Sequence, residues 1–395
     1  MPKYKNILLI NAWQAELFPA PSIGYLQAAI KQHFGNSVSI IARDIDDAIQ
    51  LLSAPNDFDL IGASFHSFSV KYAKQIRALA IGKTLICGGH HPSALPEQMI
   101  NIGYDHIVIG EGENAIIDII DGVTSEQIVR AENATPYYTS VDEYPEPDYT
   151  GLKVNITPDF GFIMISSRGC PFRCNFCASS IFWDRKIKMR SPENVVSEIE
   201  KNIKLYNCNS FMFEDDNFTM KKSRALEICN GINQLSRKYG KISWQCASRA
   251  EVLVDDELCA ALKRTGCHTV WLGVESLSQP SLDRCEKHTT VQKMISGITN
   301  AEKHGLRTMS QFIIGLPDDS IEDVKETTRQ IRNTPMSRFG CNTAWILPNT
   351  NIYNKAKQAG FDESVYLESG APFYTHEQDM NTLNTWCNII NNAKR

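Results

Sequence analysis

Apolar and polar positions fall into two series of short apolar runs alternating with amphipathic stretches, with an irregular segment between them. In the first series the apolar runs are 6–12, 38–42, 60–65, 84–87 and 106–109. The amphipathic stretches include 23–34, which stops at Gly35, then 48–52 and 70–81. This alternation predicts a Rossmann-like parallel sheet covered by helices on both faces. Such a sheet binds ligands in the loops beyond the carboxyl ends of its strands. Those loops read 11–22, 64–69, Gly88-Gly89-His90-His91-Pro92-Ser93 and Gly110-Glu111-Gly112-Glu113. Glycines there either let a ligand approach the backbone or only make tight turns. The five units together point to a binding domain over 1–125.

From about 122 to 158 the alternation lapses. Pro136, Pro145, Pro147 and Pro158 interleave with Tyr137, Tyr138, Tyr144 and Tyr149, which predicts an extended connector over 126–158. The second series has strand candidates at 162–166, 210–214, 242–247, 269–274, 308–314 and 342–347. Between them Ser191-Pro192 reads as an N-cap followed by an N1 proline. Asp255 opens a helix that Gly266 closes. Val291, Met294, Ile295, Ile298 and Ala301 share one helical face. Six strand–helix units are too few for a full eight-fold barrel and predict an α/β partial (β/α)6 TIM-type barrel over 159–350, with its chemistry at the strand carboxyl ends. The extension 351–395 is weakly patterned after 359, either a lid or a packing segment.

Composition narrows the class. At roughly 150 residues per domain, 395 residues suggest two or three domains. Hydrophobic residues make up 43% and charged residues 22%, the balance of a soluble globular chain. Forty basic against forty-five acidic side chains give a net charge of −5, which argues against an extended nucleic-acid-binding surface. The first apolar run is too short for a signal-peptide core, and nothing approaches the roughly 18 apolar residues of a membrane span. The expectation is a cytoplasmic protein.

Twelve cysteines in a chain of this size are better read as reduced thiols than as disulfides. Three of them stand together in Ser167-Arg168-Gly169-Cys170-Pro171-Phe172-Arg173-Cys174-Asn175-Phe176-Cys177. Thiolates select zinc or iron–sulfur clusters, and structural sites normally take four protein ligands. No fourth Cys or His lies nearby in sequence; the next cysteine is Cys208. Three ligands leave a metal position open, which is the mark of a catalytic centre.

CxxxCxxC with an aromatic, Phe176, before its last cysteine, in the loop after the first strand of a partial barrel, resembles the radical S-adenosylmethionine (SAM) superfamily over about 160–347. The resemblance implies a 4Fe–4S cluster on Cys170, Cys174 and Cys177. Its open iron would chelate SAM, and one electron from a reducing partner such as flavodoxin or ferredoxin would release a 5′-deoxyadenosyl radical. It further implies SAM contacts from Phe176, from Glu214 and Asp215 toward the amino group, and from Ser248 and Arg249 toward the carboxylate. Glu275 would face the ribose, and Gly315, in Gly315-Leu316-Pro317, the adenine. Each of the charged residues also has a bland reading, as a helix cap or a structural salt bridge.

The first domain resembles the cobalamin-binding domain that precedes the barrel in one large subgroup. The residues that carry this are Pro21-Ser22-Ile23-Gly24-Tyr25-Leu26 and the two glycine-bearing loops above. It implies cobalamin contacts from Ser64, Gly88, Gly89, Gly110, Glu111 and Gly112. No DxHxxG segment is present, so the histidine that replaces cobalamin's lower ligand in many mutases has no counterpart; the resemblance implies loops that hold cobalamin without a protein nitrogen on cobalt, or a domain that has lost cobalamin, and His66, His90 and His91 on those loops read as solvated or hydrogen-bonded rather than ligating. The implied function is methylation of an unactivated carbon or phosphorus centre in a small-molecule or natural-product substrate. Rival readings are radical cyclisation, rearrangement or methylthiolation on the same scaffold, with cobalamin absent or used differently, and a non-catalytic iron–sulfur or cobalamin carrier.

Overall fold

A computed structural model describes residues 1–13, 21–154, 156 and 161–394. Pro158, the expected start of the second domain at 159 and most of the 11–22 loop lie outside the described residues. The chain divides into two compact units, Met1–Asn155 with Asp362–Pro372, and Ile156–Phe361 with Phe373–Arg395.

The first unit is built on β1 (Asn6–Asn11), β2 (Ser39–Asp44), β3 (Leu60–Ser64), β4 (Thr84–Gly88), β5 (His106–Ile109) and β6 (Ile128–Arg130). They pair in the order β2-β1-β3-β4-β5-β6, all parallel. The run Ile7, Leu8, Leu9 and Ile10 is buried on both faces, as a central strand clad by helices requires. Strand order reverses between β1 and β3, which places a ligand crevice beyond their carboxyl ends. The sixth strand was not expected: only Val129 of its three residues is buried, too little to make a pattern. Gly24 has a local task. A Cβ there would lie 3.0 Å from Pro147 and 3.1 Å from Tyr149, so the glycine lets the connector cross helix Pro21–Phe34. Gln27 Nε2 pins that crossing by donating to the carbonyls of Asp148 and Thr150.

A piece of the C-terminal extension completes this unit. Tyr366, fully buried, sets its ring against His91, and the Glu363 carbonyl accepts from Gln98 Nε2.

The second unit contains β7 (Phe162–Met164), the short antiparallel pair β8 (Ser167–Arg168) and β9 (Lys188–Met189), then β10 (Ser210–Phe213), β11 (Ser243–Arg249), β12 (Cys267–Glu275), β13 (Arg307–Ile314) and β14 (Arg338–Thr343). The six long-range strands run β14-β13-β12-β11-β10-β7, all parallel and in chain order. That is the open arc of a partial barrel. The expected caps are present: Ser191 accepts from Asn194 N and Asp255 from Leu258 N. The last strand lies earlier than the expected 342–347. The apolar residues Ala344 and Ile346 are buried after the strand, where Tyr374 N donates to Ala344 O and Trp345 pairs with Phe373. Helix Met380–Asn391 packs beside β14 and helix Ile321–Asn333. Among the described residues no helix is long and apolar enough to cross a membrane.

One close approach supports the site. Helix Val291–Lys303 lies against the 3-10 turn Ala250–Val254 that follows β11, and a Cβ on Gly297 would overlap the Ala250 carbonyl oxygen. Gly297→Ala is therefore expected to cost about 1–3 kcal/mol in chemical denaturation. It should also displace Arg249, the residue before that turn.

Candidate active site

The three cysteines lie on the loop that the β8–β9 pairing closes at its base. Gly169, at φ +91, opens it; a Cβ there would lie 2.9 Å from Trp183 and overlap the Lys186 carbonyl. Cys177 N donates to Cys174 O, and Asn175 is held at both ends, its N to Cys285 O and its Nδ2 to Arg284 O. Cys174 is buried, while Cys170, Cys177 and Phe176 are partly exposed. Burial pushes the Cys177 thiol up to about 11 and raises that of Cys170, so both give up a proton on binding metal. Among the described residues no three His, Cys, Asp or Glu side chains are grouped as ligands of a single ion. A cubane makes no such demand, because each thiolate takes a different iron. The donor chemistry, three soft sulfurs on one braced loop, fits a 4Fe–4S cluster.

The carboxylates Glu214, Asp215 and Asp216 beyond β10 divide into three tasks. Asp215 is buried and accepts from Ser166 N at 2.7 Å, Ser166 Oγ at 2.6 Å and Ser167 Oγ at 2.6 Å. It ties β10 to the end of β7. Asp216 accepts from Gly169 N at 3.0 Å and from Ser179 Oγ, and so grips the cysteine loop on both sides of its three sulfurs. Glu214 has no hydrogen-bond donor among the described residues. Its side chain is open to solvent but walled by protein, and this partial desolvation, then Asp215 and Asp216, raise its pKa. An unpartnered carboxylate in a concavity is available to an ammonium.

Arg249 ends β11 and is buried. Its guanidinium lies 3.9 Å from the Phe172 ring centroid, with Nη1 3.8 Å from Cys174 Sγ, Nε 2.5 Å from Glu251 Oε1 and Nη2 2.5 Å from Lys287 O. Three of its five N–H groups are thus engaged within the chain, two of them on groups the sequence did not single out. Glu275 ends β12 at φ +66 and pairs with the buried Lys287 Nζ at 2.9 Å. Burial works against the Lys287 ammonium, but Glu275 and then Cys174 outweigh it and hold its pKa above the ordinary value. Ser248 shares a 2.5 Å hydrogen bond with Thr219 beneath the site. Gly315, at φ +72 beyond β13, lies where a Cβ would meet Leu383 at 2.7 Å. Lys287, Phe172 and Glu251 were missed because nothing in their local pattern distinguishes them from surface residues.

In the first unit the strand-end glycines serve the protein's own backbone. At Gly89, φ +96, a Cβ would lie 2.7 Å from Phe65 O and 3.1 Å from Ser64 Oγ; at Gly110, φ +93, it would meet Ala131. At Gly112 it would meet Leu26, while Gly88 is less crowded, with Val108 at 3.5 Å. Gly110 N donates to Ser93 Oγ, and Glu111 precedes helix Gly112–Asp121. Ser64 is half-buried at the end of β3. Of the three loop histidines, His91 is a core residue, with Nδ1 3.1 Å from Ser67 Oγ and Nε2 3.1 Å from Gln98 Oε1. His66 and His90 stack at 5.3 Å, and Trp13 meets His66 edge-on at 5.6 Å. This aromatic cluster of Trp13, His66 and His90 at the carboxyl edge of the sheet is a fit for a large planar cofactor.

Comparison with known proteins agrees with this architecture. The family model for the radical SAM superfamily matches residues 164–331, and the model for the B12 binding domain matches residues 15–120. An uncharacterized methyltransferase of Pyrococcus horikoshii is 30% identical over 368 residues, covering 86% of this chain and 78% of that one. An anaerobic magnesium-protoporphyrin IX monomethyl ester cyclase of Rubrivivax gelatinosus is 28% identical over 73% of this chain, which spans 57% of the cyclase. The structure of the radical SAM methyltransferase TsrM from Kitasatospora setae, with cobalamin and a 4Fe–4S cluster bound, superposes with a TM-score of 0.70 at 17% identity, covering 89% of this chain and 75% of that one. At that identity the likeness bears on the fold.

Because Asp216 holds the cysteine loop at both ends, Asp216→Ala should weaken iron retention about 10-fold or more. Iron and sulfide per chain after reconstitution and gel filtration measure this, with circular dichroism unchanged.

Proposed function

The chain belongs to the radical SAM superfamily, with a B12-binding domain ahead of its barrel, and from that premise we propose that it methylates an unactivated carbon or phosphorus centre of a small molecule. It is an enzyme whose cofactors are a 4Fe–4S cluster, SAM and cobalamin. Together these supply a 5′-deoxyadenosyl radical to remove a hydrogen atom and a methyl group to replace it. The observation that carries the reading is the braced trio of thiols at the mouth of the partial barrel, with Arg249 against Cys174.

The protein's own part is to bind, orient and shield. Cys170, Cys174 and Cys177 hold the cluster, and Phe176 covers the loop beside it. Glu214 accepts the SAM ammonium, since among the described residues it alone of the three adjacent carboxylates accepts no side-chain or backbone hydrogen bond. Asp215 acts at one remove by fixing the strand end. Arg249 keeps two N–H groups for the SAM carboxylate, and Ser248 sets the strand end from which it projects. Glu275, oriented by Lys287, faces the ribose, and the Gly315 backbone lies beside the adenine. Ser64, Gly88, Gly89, Gly110, Glu111 and Gly112 shape the cobalamin loops. A one-electron donor of the flavodoxin or ferredoxin kind supplies the reductant.

Ring formation is a second reading, favoured by the 28% identity to a cyclase. Anaerobic reconstitution with iron and sulfide, with and without hydroxocobalamin, followed by reduction in the presence of SAM, separates the two. Methyl transfer predicts S-adenosylhomocysteine as well as 5′-deoxyadenosine, with the former dependent on cobalamin. A cyclase predicts 5′-deoxyadenosine alone. In either case Cys174→Ala is expected to abolish the brown absorbance and all 5′-deoxyadenosine.

The Glu214 assignment predicts that Glu214→Gln weakens SAM binding by roughly 10-fold, the loss of one charge-assisted hydrogen bond of about 1.5 kcal/mol. Iron content should not change. Equilibrium dialysis with labelled SAM and an iron assay on the same sample measure both.

A further inference from the structure

We propose that Cys341 and Cys387 are a redox-active dithiol, which closes into a disulfide and staples the C-terminal helix to the last strand of the partial barrel. The staple does not depend on which cofactors the chain holds.

Strand β14 ends the parallel arc, so among the described residues no further strand covers its outer edge. Helix Met380–Asn391 lies along it, and Leu383, Cys387 and Asn391, spaced four apart, share one face. Asn391 Oδ1 accepts from Cys341 N at 2.9 Å and so satisfies a donor of the open edge. Leu383 backs Gly315, where a Cβ would lie 2.7 Å from it. Between these anchors Cys387 Sγ lies 3.6 Å from Cys341 Sγ. Thr343 Oγ1, on the same face of β14 as Cys341, lies 3.9 Å from Cys387 Sγ. With both backbones fixed, small side-chain rotations bring the two sulfurs to the roughly 2.05 Å of a disulfide.

Among the described residues Cys387 is the one cysteine outside the cluster loop that is partly exposed, and Cys341 behind it is buried. The hydrogen bond with Cys341 outweighs partial burial and, helped by Thr343, draws the Cys387 thiol down to about 7. A second thiol pair gives the contrast. Cys246 and Cys267 also hydrogen-bond, but both are fully buried, and that bond together with burial pushes Cys246 well above the usual thiol range. The outer pair has an attacking thiolate at neutral pH and a resolving thiol behind it; the inner pair has neither access nor charge. The oxidant is a low-molecular-weight disulfide such as glutathione disulfide. The Cys387 thiolate attacks one of its sulfurs, the S–S bond breaks, and one glutathione leaves as thiolate and is protonated by water. Cys341 then gives up its proton and attacks Cys387 Sγ in the mixed disulfide, releasing the second glutathione. Two protein thiols are oxidised and the small disulfide is reduced to two thiols, with no net change in protons.

The test equilibrates the full chain, reconstituted with iron and sulfide and kept anaerobic, in glutathione buffers from fully reducing to fully oxidising. Free thiols are then blocked with N-ethylmaleimide under denaturing conditions, and tryptic peptides are mapped by mass spectrometry. The expected product in the wild type is a linked pair of peptides 339–355 and 358–394 that dithiothreitol separates, with Cys246 and Cys267 recovered as free thiols. In Cys341→Ser, Cys387 should stall as the mixed disulfide with glutathione; in Cys387→Ser, Cys341 should stay free. Hydrogen exchange over 380–391 should slow in the linked form. Wild-type protein with both thiols blocked by the maleimide at every buffer ratio overturns the dithiol. So does Cys387 carrying glutathione while Cys341 remains free. Equal exchange rates in the linked and unlinked forms overturn the staple.

Discussion

The arrangement of the second unit turns on one contact, the Arg249 guanidinium lying over the Phe172 ring with Nη1 toward Cys174 Sγ. A buried cation is costly unless its donors are met, and here Glu251 and the Lys287 carbonyl meet two of them. Satisfying Arg249 thus forces the segment after Arg284 to approach the cysteine loop. It carries Lys287 with it, and Lys287 in turn requires Glu275. Two cations and a thiol come together for a reason that operates before any cofactor is present. The same charges suit an anionic iron–sulfur centre, so the interactions that organise the polypeptide also prepare the site.

The three adjacent carboxylates show how one local sequence is put to different uses. Alternation along the chain sends Asp215 into the strand end, where serine donors compensate its burial, while Glu214 and Asp216 emerge on the open side. Asp216 then meets donors flanking the cysteines, and among the described residues Glu214 meets none. The residue best equipped to bind a charged ligand is the one the fold leaves unsatisfied.

The glycines carry a related lesson. Gly89 and Gly110 end strands with positive φ and accommodate neighbouring atoms of the protein, and Gly24 makes room for the connector. Their sequence signature resembles a ligand-binding loop because both needs, a tight turn and a close approach, exclude a Cβ in the same way.

What the sequence alone determined was whatever local pattern encodes: the apolar runs that became eleven of the twelve parallel strands near their expected places, the caps at Ser191 and Asp255, and the thiol spacing that marks the cluster loop. Hydrophobic periodicity and short-range spacing survive in one dimension because their physical cause acts within a few residues. Tertiary structure alone decided the rest. The three-residue β6 is too short to show a period, and the apolar run after β14 is covered by the C-terminal segment, not by strand pairing. Residues 362–372 complete the first unit from the far end of the chain. Lys287 joins Glu275, and Asp216 joins Gly169. The Lys287–Glu275 pairing is settled by desolvation, which forces a buried polar atom to find whichever partner the fold brings near, at any separation along the chain.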